Sequence, residues 1–329
     1  MYLTQIRLGG GAERLPFNIR NNRQFIALTG MPRDKFNILL PEFIKSIDRI
    51  DLATKLRHQS KQVTPRRKPG GGRKEVLLTP EQKLFFLLFY LKTYPTFDVL
   101  GAIFNMCPAK ACENIQKLLP ILKNAQQHLH ILPHRHFKPI INNTHNTENK
   151  TKIIVDATER PVCRTNHARK QKRYYSGKKN CHALKNTVIT NLNLGISVIG
   201  PTAPGSRHDY ALFKEELDPN QPGLSSVEVW VDLGYQGLKD LYPNLKAIHI
   251  PYKKPRKYKS NPNPTLTPQQ KKENRAISRI RVAVEHLIGD MKTFQILSIK
   301  FRNRIKNMSD QAILLVTGLC NLRNSYVVQ

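Results

Sequence analysis

Apolar residues recur along this 329-residue chain with two different spacings, and the change falls near its middle. Up to about residue 125 the spacing is three and four, which is the period of an amphipathic helix. Phe25 and Leu28 precede a break at Gly30 and Pro32; Phe36, Leu39, Leu40, Phe43, Ile44 and Ile47 then predict a helix to about residue 50, with Pro41 as a point of kinking. Thr79-Pro80-Glu81-Gln82 combines an N-cap Thr, Pro at the first helical position and Gln at the capping-box position. It opens a strongly apolar helix to about Leu91. A short helix over Thr96 to Phe104, a turn at Asn105-Met106-Cys107-Pro108 and a third helix over Ala109 to Leu119 follow. Helix, short helix, tight turn, helix is the plan of a helix-turn-helix, although the same pattern suits a plain three-helix bundle. On the third helix Lys110, Glu113, Asn114 and Lys117 are expected to face outward.

Beyond residue 150 short apolar runs alternate with helical stretches. Strands are predicted at Lys152 to Ala157, Ala183 to Asn191, Gly195 to Gly200, Val227 to Asp232 and Ala247 to Pro251. The second and third are joined by the turn Asn191-Leu192-Asn193-Leu194. Helices are predicted at His208 to Leu217 and, much longer, at Thr267 to Phe294, with a closing core helix over Ala312 to Leu322. The succession predicts an α/β fold. Two stretches interrupt the pattern: Thr64 to Lys74, rich in Pro, Gly and cations, and His128 to Lys150, rich in His, Asn, Thr and Pro. The expected organisation is therefore a helical cap at 1–63, a basic linker at 64–76, the helix-turn-helix module at 77–124, a linker at 125–150 and the α/β domain at 151–329.

Charge changes this picture from architecture to partner. Lys and Arg number 54 against 23 Asp and Glu, a formal net charge of +31. Such an excess calls for a polyanion, and double-stranded DNA fits better than an acidic membrane surface because no long basic amphipathic helix with aromatic anchors is present. Lys110, Asn114 and Lys117 become candidate DNA contacts on that ground. The five cysteines form no CxxC pair and read as reduced thiols. No apolar signal core occupies Met1 to Arg7, and the longest apolar run, Leu84 to Leu91, is too short to span a bilayer. The expectation is a cytoplasmic, nucleoid-associated protein.

Against so basic a background three acids stand out. Asp156 and Asp232 close the apolar runs Ile153-Ile154-Val155-Asp156 and Val229-Trp230-Val231-Asp232. Ligand-binding groups of open α/β sheets gather beyond the carboxyl ends of strands, so two such aspartates on neighbouring parallel strands would share one crevice. A strand-end Asp also serves as a turn or helix cap; the pair together with a third acid favours the site. That third acid lies on the long helix, where Ile277, Ile280, Val284, Leu287, Met291 and Phe294 form an apolar stripe and Arg281, Glu285 and Lys292 fall on a strip beside it. An Arg281–Glu285 surface pair would contribute only a few tenths of a kcal/mol. A metal-binding Glu285 flanked by phosphate-binding cations is the sharper reading. Clustered carboxylates suit Mg²⁺ or Mn²⁺, and paired ions suit phosphodiester chemistry, one acting at the attacking oxygen and one at the leaving oxygen.

Five segments carry a resemblance. They are Ile154-Val155-Asp156-Ala157-Thr158-Glu159, Tyr174-Tyr175-Ser176-Gly177-Lys178-Lys179, Ser206-Arg207-His208-Asp209, Asp232-Leu233-Gly234-Tyr235-Gln236-Gly237, and Asn274-Arg275 through Lys292. In this order they resemble bacterial insertion-sequence transposases of the Asp-Asp-Glu (DDE) class, in the branch related to Harbinger-type transposases. The stretch Leu91-Lys92-Thr93-Tyr94-Pro95-Thr96 resembles the family's N-terminal helix-turn-helix. The resemblance implies a ribonuclease-H-like fold, Asp156, Asp232 and Glu285 as a catalytic triad holding two divalent ions, and Arg281 and Lys292 as companions of Glu285. It also implies binding to the terminal inverted repeats of an element and to target DNA, as a homo-oligomer. Some relatives carry a Tyr three residues before the Arg; this chain has Ser278, so no role of that Tyr is carried over. A DNA-binding protein derived from such an element, without catalysis, is the alternative; the intact triad speaks against it.

Further candidates surround the triad. Lys178, Lys179 and His182, between the first two strands, are placed to grip phosphate, and His208 with Asp209 is a possible accessory pair. The basic and aromatic run Tyr252 to Lys259 suits a DNA clamp, which Arg302, Arg304 and Lys306 would extend. His128, His130, His134 and His136 lack the cysteines or second half-site of a zinc centre.

Overall fold

The computed structural model describes residues 17–60, 75–137, 151–191, 195–258 and 262–328. The first sixteen residues of the expected cap, most of the basic linker, residues 138–150 of the second linker, the turn at 192–194 and Lys259 lie outside the described residues. Two compact units share the chain: one runs to Leu129 and includes Phe294–Ile296, the other begins at His130 and contains the rest.

The first unit is helical. Helix α1 (Asn22–Thr29) is capped by the Asn21 side chain, and Gly30, at φ +74°, ends it. Helix α2 (Arg33–Ser60) runs well past residue 50, where the apolar pattern stops, and continues through Pro41. One proline removes one helical hydrogen bond; buried Phe36, Leu39 and Phe43 hold the turns on either side. Helix α3 (Pro80–Thr93) has the full capping box, Gln82 N–H donating to Thr79 Oγ1 at 3.2 Å and Thr79 N–H to Gln82 Oε1 at 3.3 Å. Its residues 84–91 are buried all round, so this helix is the core of the unit.

Helix α4 (Phe97–Ile103) is capped by Thr96, and α5 (Pro108–His128) follows. The turn between them closes when Met106 N–H donates to Gly101 O at 2.9 Å, with Asn105 at φ +52°. A Cβ on Gly101 would stand 2.4 Å from Met106 O, so the tight turn depends on glycine at 101. Helix α5 extends past the expected end at Leu119 and through Pro120. The extension is driven by Leu122 and Ala125, which carry its buried stripe onward.

The second unit is a mixed sheet with helices. Strand β1 (Thr151–Pro161) sits centrally, antiparallel to β3 (Cys181–Asn191) and parallel to β6 (Val227–Trp230), which is parallel to β7 (Ala247–His249). The far edge of β3 pairs in turn with β2 (Tyr175–Ser176), β5 (Ala203–Pro204) and β4 (Ile196–Ile199). Three principal antiparallel strands followed by two parallel ones make the ribonuclease-H-like α/β arrangement implied by the sequence. Helix α6 (Ala168–Tyr174) lies between β1 and β2; α7 (Asp209–Glu216) and α8 (Leu238–Leu241) follow β5 and β6. After β7 come α9 (Pro268–Lys292), the short α10 (Gln295–Ser298) and α11 (Met308–Arg323).

Strand alternation sorts the residues between the two faces. Ile153, Val155, Val227, Val229 and Val231 join Phe213 of α7 and Leu238 of α8 in one buried cluster. Their even-numbered neighbours, Ile154, Asp156, Trp230 and Asp232, therefore look to the other face. Helix α9 packs there through Ile277, Val284, Leu287 and Met291, closed by α11, almost wholly buried. Asn321 of α11 ties that helix to the sheet, its Oδ1 accepting from Ile196 N–H at 2.9 Å and its Nδ2 donating to Ile131 O.

On the first face Thr187 donates to Glu216 Oε1 at 3.1 Å, while Glu216 Oε2 is buried without a hydrogen-bond partner among the described residues. Burial pushes this carboxyl up to about 7, with Thr187 and Arg135 opposing. An acid whose folded value is raised binds its proton more tightly when folded, so the contribution of this group to stability is fully present below about pH 4.5 and is lost as pH rises through 7. The loss is on the order of 3 kcal/mol. Glu216→Gln should abolish it, leaving the variant the more heat-stable protein at pH 8 and flattening the change in melting temperature between pH 5 and 8. An unchanged slope would show that Glu216 is ionised at neutral pH.

Candidate active site

The parallel pairing of β1 with β6 brings the two aspartates together. The last paired residues are Ile154 and Trp230, so Asp156 and Asp232 are each two positions further on, on the same face. The sequence places both at strand ends. Only Asp232 is at one: β1 continues to Pro161 and Asp156 faces Val188 in the ladder with β3. The apolar run stops at 156, but backbone pairing with β3 does not need apolar side chains. Asp156 Oδ1 accepts from Ala157 N–H at 2.8 Å, and Asp232 Oδ1 from Leu233 N–H at 2.7 Å, capping a short 3₁₀ turn. Asp232 is thus a cap and a member of the cluster at once.

Arg281 of α9 holds the cluster. Its guanidinium lies 3.4 Å from Asp156 Oδ2, 3.5 Å from Asp232 Oδ1 and 4.0 Å from Glu285 Oε1. The Arg281 side chain is only 12% exposed, and its buried Nε donates to no acceptor among the described residues. Glu285, one turn along, is 58% exposed. The pair is therefore no simple surface bridge: one cation sits among three acids from three elements. Burial raises the Asp156 carboxyl above the usual range; Ala157 N–H and Arg281 lower it, and Asp232 and Asp209 raise it again. A carboxylate so placed gains from a nearby cation.

No three acidic, histidine or cysteine side chains among the described residues close round a common metal position; the guanidinium stands among the three acids. The donor set nevertheless fits a hard divalent ion, since it consists of carboxylate oxygens facing a single cationic centre and contains no thiol or imidazole. The four histidines at 128–136 form no ligand group either.

The other predicted residues divide. Lys292 is half-buried; burial and Lys179 lower its ammonium value, while Glu159 and Asp156 raise it, which places its charge beside the acids. Lys178 and Lys179 are exposed in the turn before β3. His182 is not in that loop but within β3, its ring 5.7 Å from that of Tyr175 across the β2–β3 pair. Asp209 pairs with Lys185 at 2.8 Å, and Lys185 with Glu159, its cross-strand partner, at 3.3 Å; His208 is exposed at the start of α7. In the helical unit Lys110 and Lys117 are exposed, Lys110 paired with Glu113 at 2.9 Å. Asn114 does not face outward as expected: it is half-buried, its Nδ2 against Met106 Sδ at 3.5 Å, because the tight turn folds back over it.

Sequence reading missed Lys185 and Tyr235. Lys185 is a buried cation inside a strand, visible only as a charge interrupting an apolar run. The Tyr235 hydroxyl is buried with no hydrogen-bond partner among the described residues, and burial followed by Asp209, Asp156, Glu216 and Asp232 drives its ionisation far up. It stays a neutral phenol beneath the acids.

Comparison with known proteins gives this geometry its family. The family described as DDE superfamily endonuclease matches residues 155–321, which contain Asp156, Asp232, Arg281 and Glu285. The chain belongs to the DDE superfamily of endonucleases. The helix-turn-helix of the same superfamily matches residues 76–125, spanning α3, α4 and most of α5. The DDE endonuclease is also similar to the probable transposase for insertion sequence element IS702 of Microchaete diplosiphon, 26% identical over 299 residues, covering 91% of this chain and 94% of that protein. No solved structure gives a significant match. No helix among the described residues is long and apolar enough to cross a membrane.

Proposed function

We infer that this DDE endonuclease is a DNA transposase that cleaves the ends of an insertion sequence and joins them to target DNA. The observation that carries the reading is the single guanidinium shared by Asp156, Asp232 and Glu285. Three carboxylates facing one cation inside a chain of formal charge +31 make a site for a cation and a polyanion together. Endonucleases of this superfamily generally use divalent metal ions. Asp156, Asp232 and Glu285 would hold them, with Mg²⁺ or Mn²⁺ as the expected ion and two as the expected number. Bound there, the ions supply Lewis acidity to the attacking and leaving oxygens of a phosphodiester.

The chain's own residues do the rest. The Ala157 and Leu233 N–H groups fix one oxygen of each aspartate and leave the other free to turn toward a cation. Arg281, released from the acids, is one side chain away from a phosphate, and Lys292 adds a second charge on the same helix. Lys178 and Lys179 extend the positive surface, and Lys110 and Lys117 on α5 are proposed DNA contacts of the helix-turn-helix; Asn114 supports the turn instead. In the first step water attacks the phosphodiester at the element end and frees a 3′-hydroxyl. In the second that hydroxyl attacks target DNA, one ester bond forming as another breaks. No protein nucleophile is required. Joining two ends calls for at least two copies of the chain on DNA.

The test is a nicking assay on end-labelled duplex carrying the inverted repeats that flank the gene, with Mg²⁺ or with chelator. A metal-dependent nick leaving a 3′-hydroxyl at the element boundary is expected. Tight binding without any nick, in Mg²⁺ and in Mn²⁺, would instead establish the non-catalytic DNA-binding protein.

A further inference from the structure

A basic feature lies just beyond the C-terminal end of β1. After Pro161 the chain continues alongside residues 301–305: Val162 bridges Phe301, Phe301 N–H donates to Pro161 O at 2.8 Å, and Cys163 N–H to Phe301 O at 3.3 Å. The two segments line a cleft of about 690 Å³, to which Leu184 of β3 also contributes. One wall carries Arg164, His167 and Lys170, the other Arg302 and Arg304. No carboxylate among the described residues lines it. The first wall is ordered by its own bonds, Arg164 donating to Gln171 Oε1 at 2.9 Å and Gln171 Nε2 to Thr165 O at 2.7 Å.

Four permanent cations around one concavity repel each other, and a bound polyanion relieves that repulsion. Two facing rows of cations suit a charged strand lying lengthwise better than a single small anion. Strand β1 also fixes the spacing from the acid cluster. From Asp156 to Val162 is six residues, about 20 Å along a strand at ~3.3 Å per residue. About six base pairs of duplex, at ~3.4 Å each, cover that length.

We propose that this cleft, between the 162–170 and 301–305 segments, is a second DNA-backbone site, holding duplex about six base pairs from the phosphodiester at the acid cluster. It rests on the transposase reading. The role is positional: an enzyme that must present one phosphodiester gains from a grip on the same duplex at a fixed distance, because the second contact removes rotation about the first. Phosphate contacts of this kind set register and carry no sequence information.

Cys163 is exposed at the cleft and reports on it directly. The experiment uses the full chain without metal, so that cleavage does not enter. Maleimide alkylation of each cysteine is followed by peptide mass spectrometry, with and without a 30-base-pair duplex of arbitrary sequence, while anisotropy of the labelled duplex reports binding. The duplex should slow alkylation of Cys163 about tenfold, and rising salt should restore it. The triple variant Arg164→Gln, Arg302→Gln, Arg304→Gln, at exposed positions, should still melt cooperatively, with at most a small loss from the Arg164–Gln171 bond. It should lose the protection and show a salt slope of log K lower by up to about 2.7, at about 0.9 for each phosphate that is no longer neutralised.

Alkylation of Cys163 at one rate in free and DNA-bound protein overturns the proposal and leaves the transposase reading standing. Equal protection by polyglutamate of the same charge also overturns it, since the cleft would then take any polyanion. A wild-type chain that binds no duplex at all removes the transposase reading and the cleft with it.

Discussion

Asp156→Asn is expected to reduce strand cleavage by about a thousandfold or more while leaving DNA binding intact. The amide keeps the carboxylate's shape and its acceptor for Ala157 N–H, so β1 has no reason to change. What disappears is a charge where Asp156, Asp232 and Glu285 face one cation. Removing a single preorganised electrostatic interaction slows catalysis about 10²–10³-fold, and an acid that helps to hold the ion should matter at least that much. Binding should hold or tighten slightly, since one negative charge near the DNA is gone. The fold should be indifferent or gain, because burial already presses this carboxyl toward its neutral form. Cleavage, anisotropy and thermal melting on the same preparation separate these effects. A variant that cleaves like its parent would remove Asp156 from the reaction; one that neither binds nor melts cooperatively would assign it to the fold.

The parts of this molecule that are legible in the sequence are those governed by near neighbours. Thr79 with Gln82 announces a capping box, and it forms; the long helix has another at Thr267 and Gln270, where the sequence marked only a helix start. Of the stripe predicted on α9, Ile277, Val284, Leu287 and Met291 are buried and Ile280 is only half-buried, and the position of Arg281 and Glu285 beside it follows from 100° per residue. The strand runs around Asp156 and Asp232 are visible, and so is the consequence of their being parallel neighbours. Less legible is whatever depends on a distant partner. Strands β2 and β5 are two residues long and exist because β3 offers an edge; no local pattern marks them. Helix α6 has no buried residue and hence no apolar period. Helix α2 continues through Pro41, expected only as a kink, and α5 runs through Pro120 beyond its expected end at Leu119, because packing on either side outweighs one lost hydrogen bond. The ion pairs of Lys185 need the β1–β3 register and the start of α7 at once. That Arg281 lies among all three acids is beyond sequence for the same reason. Helical spacing pairs it with Glu285 alone, and the aspartates reach it only through the sheet.

Arg281→Gln is expected to bind divalent metal more tightly than the parent and to cleave DNA less well, two effects of opposite sign from one side chain. In the folded chain the guanidinium supplies the positive charge that the three acids require, so an incoming ion must displace it. The three approaches are partly buried and of 3.4–4.0 Å, well short of ideal bidentate geometry. A figure of about 1–2 kcal/mol for the displacement is therefore reasonable, between an exposed pair and a charged hydrogen bond. It corresponds to roughly 5–30-fold in affinity. Titration with Mn²⁺, followed by the rise in melting temperature without DNA, should show half-saturation in the variant at correspondingly lower concentration. The metal-free variant should melt below the parent, because Asp156 and Asp232 then face one another with no counter-charge. Cleavage should fall by about a hundredfold, since the charge released toward phosphate is gone. Arg281→Lys should lie between, retaining a charge but not the planar fork that spans three carboxylates. An Mn²⁺ affinity in the glutamine variant equal to or weaker than the parent's would mean that the guanidinium does not stand where the ion binds. The three acids would then be a structural ion-pair network around Arg281, and the metal would have to be sought elsewhere in the domain.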